Sequence, residues 1–529
     1  MQKNDIITLN ITSVTSEGMG IGRVNNIAVF VKSTAVGDVV KAVVIKVNKN
    51  YCVAKLLEII TPSQDRIEND CLAFPRCGGC AFRHINYSAE LDIKKQKVID
   101  AFKRIGGIDV NVEQMLYDKD NSYRNKAQLP VSDEVIGFYA EHSHRIIDCK
   151  DCKLQPQQFN EIAKTFFEFK NKYNIQCFDG DKGLIRHLYI RKGEATGEVL
   201  VCVVINGDTL PYSDILVSEL LSKFPQIKSI SLNINKQKNN VVLGNKFVNL
   251  VGDGYIYDIL CGVKVRISAQ SFYQVNRVMA QKLYDSAKQY AGKGDTLVDL
   301  YCGAGTIGLS MADSFNNLIG VEIVQSAVED AKFNAKLNGV QNAEFYCADA
   351  YEQAKKLNNK CSVLVVDPPR KGLDAKLPQL IAQQFCPDKI VYVSCDPATL
   401  ARDCKIFEQF DYKVKRVTVA DLFPRTYHVE TVALLSQRRP DEHIDITIDL
   451  TEFDTTAAEL KATYPEIKEY VLNKFGLKVS SLYISQVKTK CGIIERENYN
   501  KGKAGHRVPQ CPKEKEDAIM DALKHFKMI

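Results

Sequence analysis

The chain has 529 residues, more than one hydrophobic core organises, so about three or four domains are expected. With 45% hydrophobic and 25% charged residues it has the profile of a globular protein, which excludes disordered and fibrous classes. No run approaches the ~18 uninterrupted apolar residues of a membrane helix, and the opening MQKNDIITLNITSV lacks a signal peptide's charged-then-apolar layout. The expectation is a cytoplasmic, monomeric protein with no membrane partner. Seventeen cysteines in a large chain without a secretory address argue against a disulfide framework and leave metal ligation, thiol chemistry or plain burial. The net charge of +6 permits a nucleic-acid partner without requiring one, and because Trp is absent any base stacking falls to Tyr, Phe, His or Arg.

Residues 1–60 read as a small all-β unit. The runs IITLNITSVT, IAVFVKST, DVVKAVVIKV and YCVAKLLEII are β-branched and separated by Gly and Asn, and GMGIGRVNN supplies glycines for a tight barrel turn. Seven Lys and Arg against four acids fit an oligonucleotide-binding type of barrel. After TPSQDR comes a cysteine-rich stretch, then LDIKKQKVIDAFKRIGG, a helix stopped by paired glycines. Residues 61–262 as a whole suggest an α+β platform. Over 263–440, short apolar strands alternate with helix-length segments, as in a doubly wound, Rossmann-like parallel sheet. Residues 441–529 form a charge-rich, mainly helical appendage, in which the helix–Gly–helix step at Gly476 faintly suggests a helix-turn-helix.

Cys71, Cys77 and Cys80 lie in CLAFPRCGGC, and Cys149 and Cys152 in DCKDCKLQ. Soft thiolates in such a group suit zinc or an iron–sulfur cluster. One arrangement pairs Cys77 and Cys80 with Cys149 and Cys152 around zinc. The other uses Cys71, Cys77, Cys80 and Cys152 for a [4Fe–4S] cluster and leaves Cys149 spare. Spacing alone leaves both open.

TLVDLYCGAGTIGLS is a strand entering a glycine-rich turn and then a helix, with Gly303, Gly305 and Gly308 spelling G-x-G-x-x-G. The following strand ends at Glu322, placed to accept both ribose hydroxyls of an adenosine-containing cofactor, and Asp349 follows a third strand within reach of the adenine edge. NAD and S-adenosylmethionine both fit these features. Asp367 in VVDPPRKG and Cys395 in VSCDPATLARD then fall at two later strand ends, and HVETVALL places His428 and Glu430 just before the last strand. A thiol there is of no use to a dehydrogenase. A cysteine nucleophile with a carboxylate base suggests covalent catalysis.

SFYQVN, DLYCGAGTIGL, VVDPPRKG, SCDPATLARD and HVETVALL, in that order over residues 1–440, resemble the RNA uracil-C5 methyltransferases, specifically the 23S rRNA branch. The barrel resembles a TRAM domain, and CLAFPRCGGC with Cys152 resembles that family's [4Fe–4S] site. The resemblance implies S-adenosylmethionine bound by Gln274, Tyr301, Thr306, Glu322, Asp349 and Asp367, with Cys395 as nucleophile and Glu430 as general base. It implies class I methyltransferase chemistry on a uridine of 23S rRNA. Many relatives have Asn after the catalytic cysteine where this chain has Asp396, a carboxylate that either raises the thiol's pKa or turns away to bond backbone groups. A cytosine-C5 enzyme would carry a Pro-Cys pair where this chain has Asp-Pro-Pro-Arg. A tRNA-directed uracil methyltransferase shares Cys395 and Glu430, and typically lacks barrel and cluster. A non-enzymatic RNA-binding relative would lack the nucleophile or the base.

Overall fold

The computed structural model describes residues 1–357, 361–437, 462–493, 510–526 and 528–529. Contacts divide the chain into two compact units, Met1–Arg439 and Pro440–Ile529. Among the described residues, no helix is long and apolar enough to cross a membrane.

The first five strands, Ile6–Val14, Gly20–Val24, Ile27–Val31, Val39–Val47 and Tyr51–Thr61, close into a barrel. Alternate residues point inward, and Leu9, Ile11, Val29, Val31, Val40, Ala42 and Val44 fill it. Of the glycines expected in the turn, Gly20 and Gly22 lie within the second strand instead. A Cβ on Gly22 would stand 2.5 Å from the Asn10 carbonyl, so glycine serves the close approach of two strands rather than a bend.

A second sheet of five strands, in the order Lys246–Val251, Ile227–Ile234, Val199–Ile205, Ile185–Lys192, Lys126–Pro130, forms the middle of the chain. Helix Gln157–Lys172 packs on it through Phe159, Ile162, Phe166 and Phe169. The third sheet has eight strands. Ala343–Cys347, Phe315–Glu322, Gly294–Leu300, Val363–Val366 and Lys389–Ser394 run parallel in that order, with Glu430–Gln437 antiparallel next to the last. Val363–Val366 and Lys389–Ser394 in the middle of the sheet are buried but for Lys389, as their Val- and Ile-rich runs require.

The expected boundary at 262/263 falls inside a hairpin, between Tyr255–Leu260 and Val263–Ser268. Residues assigned to the middle segment also join the third sheet: Val112–Leu116 pairs in parallel with Tyr412–Ala420. Helix Tyr87–Ala101, which continues to Gly106 and ends on Gly107 in a left-handed conformation, packs Val98 and Phe102 beside Leu400, Ala401 and Cys404. That pairing, across a long sequence separation, leaves no local signal in the chain.

In the second unit, helices Tyr464–Phe475, Ser481–Lys490 and Lys513–His525 bury Ile467, Val471, Ile484, Val487, Ile519 and Leu523 against one another. Thr463 and Glu466 form a capping box on the first, and Gly476 ends it with φ +68°. The part of the expected tail helix before residue 462 lies outside the described residues.

Candidate active site and cysteine cavity

The carboxyl ends of the parallel strands open into a cavity of about 1100 Å³. Gln274, Tyr301, Thr306, Glu322, Asp349, Asp367, Cys395 and Glu430, scattered over more than 150 positions, all line it, as does His428. Strand topology brings them together: Tyr301, Glu322, Asp367 and Cys395 end or follow parallel strands, Glu430 begins the antiparallel strand beside them, and Gln274, Thr306, Asp349 and His428 lie on adjoining segments.

Glu322 accepts the backbone N–H of Gly303 at 3.1 Å and that of Val324 at 2.9 Å. The carboxylate is thereby fixed at the strand end with lone pairs to spare for two hydroxyl donors. Gly303 has φ +55°, and a Cβ there would meet nothing within 4 Å, so the turn leaves open space above its backbone. Asp349 accepts from Tyr351 N and Glu352 N, capping the helix Ala350–Lys356. Gln274 donates to the Tyr284 hydroxyl at 3.2 Å, while Asn125 holds the Gln274 carbonyl at 3.0 Å from a distant strand.

Burial raises Asp367 to about 7. Glu430 goes well above the usual carboxyl range, through burial and then the charge of Asp367, with Arg370 opposing. Burial also raises the Cys395 thiol to about 11, aided by Glu430 and Asp367 and opposed by Arg370. Two buried acids beside a protonated thiol therefore exchange protons at neutral pH rather than standing as two anions. The Arg370 guanidinium lies 3.3 and 3.4 Å from the two ring nitrogens of His428, and His428 is lowered to about 4 by burial and then by that cation. Arg370 directly follows the quoted Asp-Pro-Pro. Its position was legible, but its role depends on His428, 58 residues away. Phe272 stands 72% exposed at the rim, and Tyr427 packs its ring 4.3 Å from that of His428.

Arg370, Phe423 and His428 also line a neighbouring cavity of about 500 Å³, which Cys71, Cys77, Cys80, Cys149 and Cys152 share. Cys149 hydrogen-bonds Cys77, drawing the Cys77 thiol down to about 7 and pushing its own up. Burial raises Cys80 to about 12. The loop is tied down by Gly78 N–H to the Tyr139 carbonyl at 3.2 Å, and by Ala81 and Phe82 N–H to the Arg425 carbonyl at 2.7 and 3.1 Å. Cys152 is fixed through Asn160, which accepts from its N–H and donates to its carbonyl, both at 3.3 Å. Among the described residues, no group of three or more His, Cys, Asp or Glu side chains is arranged to hold one metal ion. Five thiols on one cavity wall nonetheless match the soft donor set of a larger iron–sulfur group, which spreads its thiolates more widely than one tetrahedral ion does. Arg83 Nη1, buried and without a partner in the same wall, is a donor left over for an anion.

A glycine turn, a strand-end acid and a thiol beside carboxylates, at the carboxyl ends of a Rossmann-like parallel sheet, define a methyltransferase-like α/β domain. Residues 86–438 match the tRNA (Uracil-5-)-methyltransferase family, and residues 2–57 match the TRAM domain. An uncharacterized RNA methyltransferase of Clostridium tetani is 43% identical over 448 residues, 82% of this chain and 97% of that protein. One of Halalkalibacterium halodurans is 40% identical over 452 residues, 82% of this chain and 98% of that protein. Among solved structures, the Pyrococcus abyssi tRNA (uracil-54, C5)-methyltransferase in complex with S-adenosyl-L-homocysteine is similar with a TM-score of 0.66. It is 29% identical, over 81% of this chain and all of that one. The chain belongs to the tRNA (uracil-5-)-methyltransferase family and carries a TRAM domain. It is an S-adenosylmethionine-dependent RNA (uracil-C5)-methyltransferase.

Proposed function

We propose that the enzyme methylates C5 of a uridine in 23S rRNA through a covalent bond between Cys395 and C6 of the uracil. The observation that carries this reading is the convergence of Cys395, Asp367 and Glu430 in one cavity with Glu322 and Gln274.

Uracil C5 is too weak a nucleophile to attack a methyl group unaided. Addition of the Cys395 sulfur to C6 moves electron density to C5 and the ring carbonyl. With Asp367 raised to about 7 and Glu430 well above the usual carboxyl range, Asp367 is the acid more readily in its carboxylate form near neutral pH and takes the thiol proton. S-adenosylmethionine, when bound, supplies the electrophilic methyl. Glu322 suits the ribose hydroxyls and Asp349 the adenine edge, while Gln274, Tyr301, Thr306 and Asp367 line the remainder of the cofactor space. After transfer, Glu430 in its carboxylate form, a strong base because burial and Asp367 hold its pKa high, takes the C5 proton, the C5–C6 double bond re-forms, and the Cys395 sulfur leaves.

The target base must leave its stack to reach this cavity. Phe272, Tyr427 and His428 offer aromatic faces for it and its neighbours in a chain without Trp. Lys32 and Arg124 line the adjoining cavity, and the barrel carries a net positive charge, which suits RNA phosphates. The same reading gives Cys71, Cys77, Cys80 and Cys152 to a [4Fe–4S] cluster, and treats residues 441–529 as an appended domain. It places the enzyme as a monomer in the cytoplasm.

A second substrate, tRNA, has its own support in the similarity to the Pyrococcus abyssi tRNA enzyme over 81% of this chain. Tritium release from RNA labelled at uracil C5 separates the two. Release from protein-free 23S rRNA, lost in Cys395→Ala, is expected. Release from tRNA alone would move the assignment to the second substrate, and release from neither would remove the mechanism.

A further inference from the structure

Arg83, three residues after Cys80, plays no part in the chemistry above, yet it is 2% exposed. Its Nε and Nη2 donate to the two Asp70 oxygens at 2.8 and 2.9 Å, and Nη2 also donates to Asn121 at 2.7 Å. These bonds lock the guanidinium plane. Nη1 is left buried, with no acceptor among the described residues. An unpaired buried donor on a fixed cation is costly unless something else accepts from it. The side chain lines the cysteine cavity, and the thiols on which its charge acts are those of Cys80 and Cys71.

Four thiolates outweigh the positive charge of an iron–sulfur core, so the loaded cavity is anionic. Its cysteines are half-buried, and an unbalanced anion there is less favourable than in open water. We propose that Arg83 is the resident counter-cation of this site and that its Nη1 N–H donates to a sulfur of the bound iron–sulfur group. This rests on the cluster reading above and adds a residue outside the ligand set. Asp70 and Asn121 act through Arg83 by fixing its direction.

The test compares wild type with Arg83→Lys, Arg83→Gln and Asp70→Asn, all purified anaerobically, with iron and sulfide measured per chain. Release of iron to a chelator is followed by the loss of visible absorbance. Fe–S stretching bands are read by resonance Raman, and melting temperatures by calorimetry. Loss of a partner just outside a metal's ligands costs about 10–100-fold in retention. Arg83→Gln is therefore expected to release iron faster by that order and to shift the Fe–S bands, with Arg83→Lys restoring much of the retention. Asp70→Asn should fall between. Faster release in Arg83→Gln with unshifted bands, or equal release from the Gln and Lys variants, would make Arg83 a packing residue and overturn the proposal. Wild-type protein with zinc and no sulfide would instead overturn the cluster reading itself.

Discussion

The carboxylate of Asp396 accepts the backbone N–H of Ala398 at 2.8 Å. It also accepts that of Thr399 at 3.1 Å, so Asp396 is the N-cap of helix Pro397–Glu408. Its charge is spent on the first turn of that helix, and the charges that act on the neighbouring Cys395 are those of Glu430, Asp367 and Arg370. The departure from Asn at this position therefore leaves the nucleophile's surroundings intact. Asp396→Asn, which caps equally well, is expected to keep methyl transfer near wild type. Asp396→Ala should lower unfolding free energy by about 1 kcal/mol in denaturant titration. A large loss of kcat in Asp396→Asn at unchanged stability would contradict this.

In the proposed mechanism Cys395 and Glu430 act at different stages, and their variants should fail differently. Cys395→Ala is expected to lose at least about 1,000-fold in turnover and to form no covalent RNA complex. Glu430→Gln should still add to the uracil and accept the methyl, then stall. A protein–RNA adduct that survives denaturing electrophoresis, with no tritium release, is the expected result. Free RNA in both variants would remove the distinction between the two roles.

The thiol at about 11 and Asp367 at about 7 give turnover a direction with pH. As pH rises through about 7, Asp367 loses its proton and becomes able to take the one on sulfur, so kcat should increase across that range. Arg370 lowers both Cys395 and Glu430. Arg370→Gln removes that cation, so the Cys395 thiol, read by the pH dependence of its alkylation, should ionise at higher pH, while the limb set by Asp367, which burial alone raises, stays in place. A thiol that ionises at the same pH in the variant would mean that Arg370 acts only through its contact with His428.

Glu322 is held by two backbone amides and faces the cofactor cavity. Glu322→Ala should weaken S-adenosylmethionine binding by roughly 10–100-fold, since a charge-assisted hydrogen bond contributes about 1.5–3 kcal/mol. Calorimetric titration of the cofactor in the absence of RNA reads this separately from catalysis.

Much of the site was legible because its signals are local. A strand that ends in Asp-Pro-Pro, or a glycine turn after VDLY, carries its position within a few residues, and parallel-strand topology then carries those ends to one crevice. The same holds for the barrel, whose alternating pattern survives in the chain, and for the helix stopped by Gly107. The pairing of Val112–Leu116 with Tyr412–Ala420, roughly 300 positions apart, left no such local signal.

The chain alone, then, determined which side chains are available: a thiol after one strand, acids after three others, and a group of soft donors near Gly78 and Gly79. Only the tertiary structure decided what state they are in. Burial sets Cys395 at about 11 and Asp367 at about 7, and no window of sequence contains the packing that removes water from them. Folding likewise turned Asp396 into a cap, laid Arg370 against His428, and left Arg83 Nη1 without an acceptor among the described residues. Residue type is a property of the chain, whereas charge state and hydrogen-bond partner are properties of the space around it.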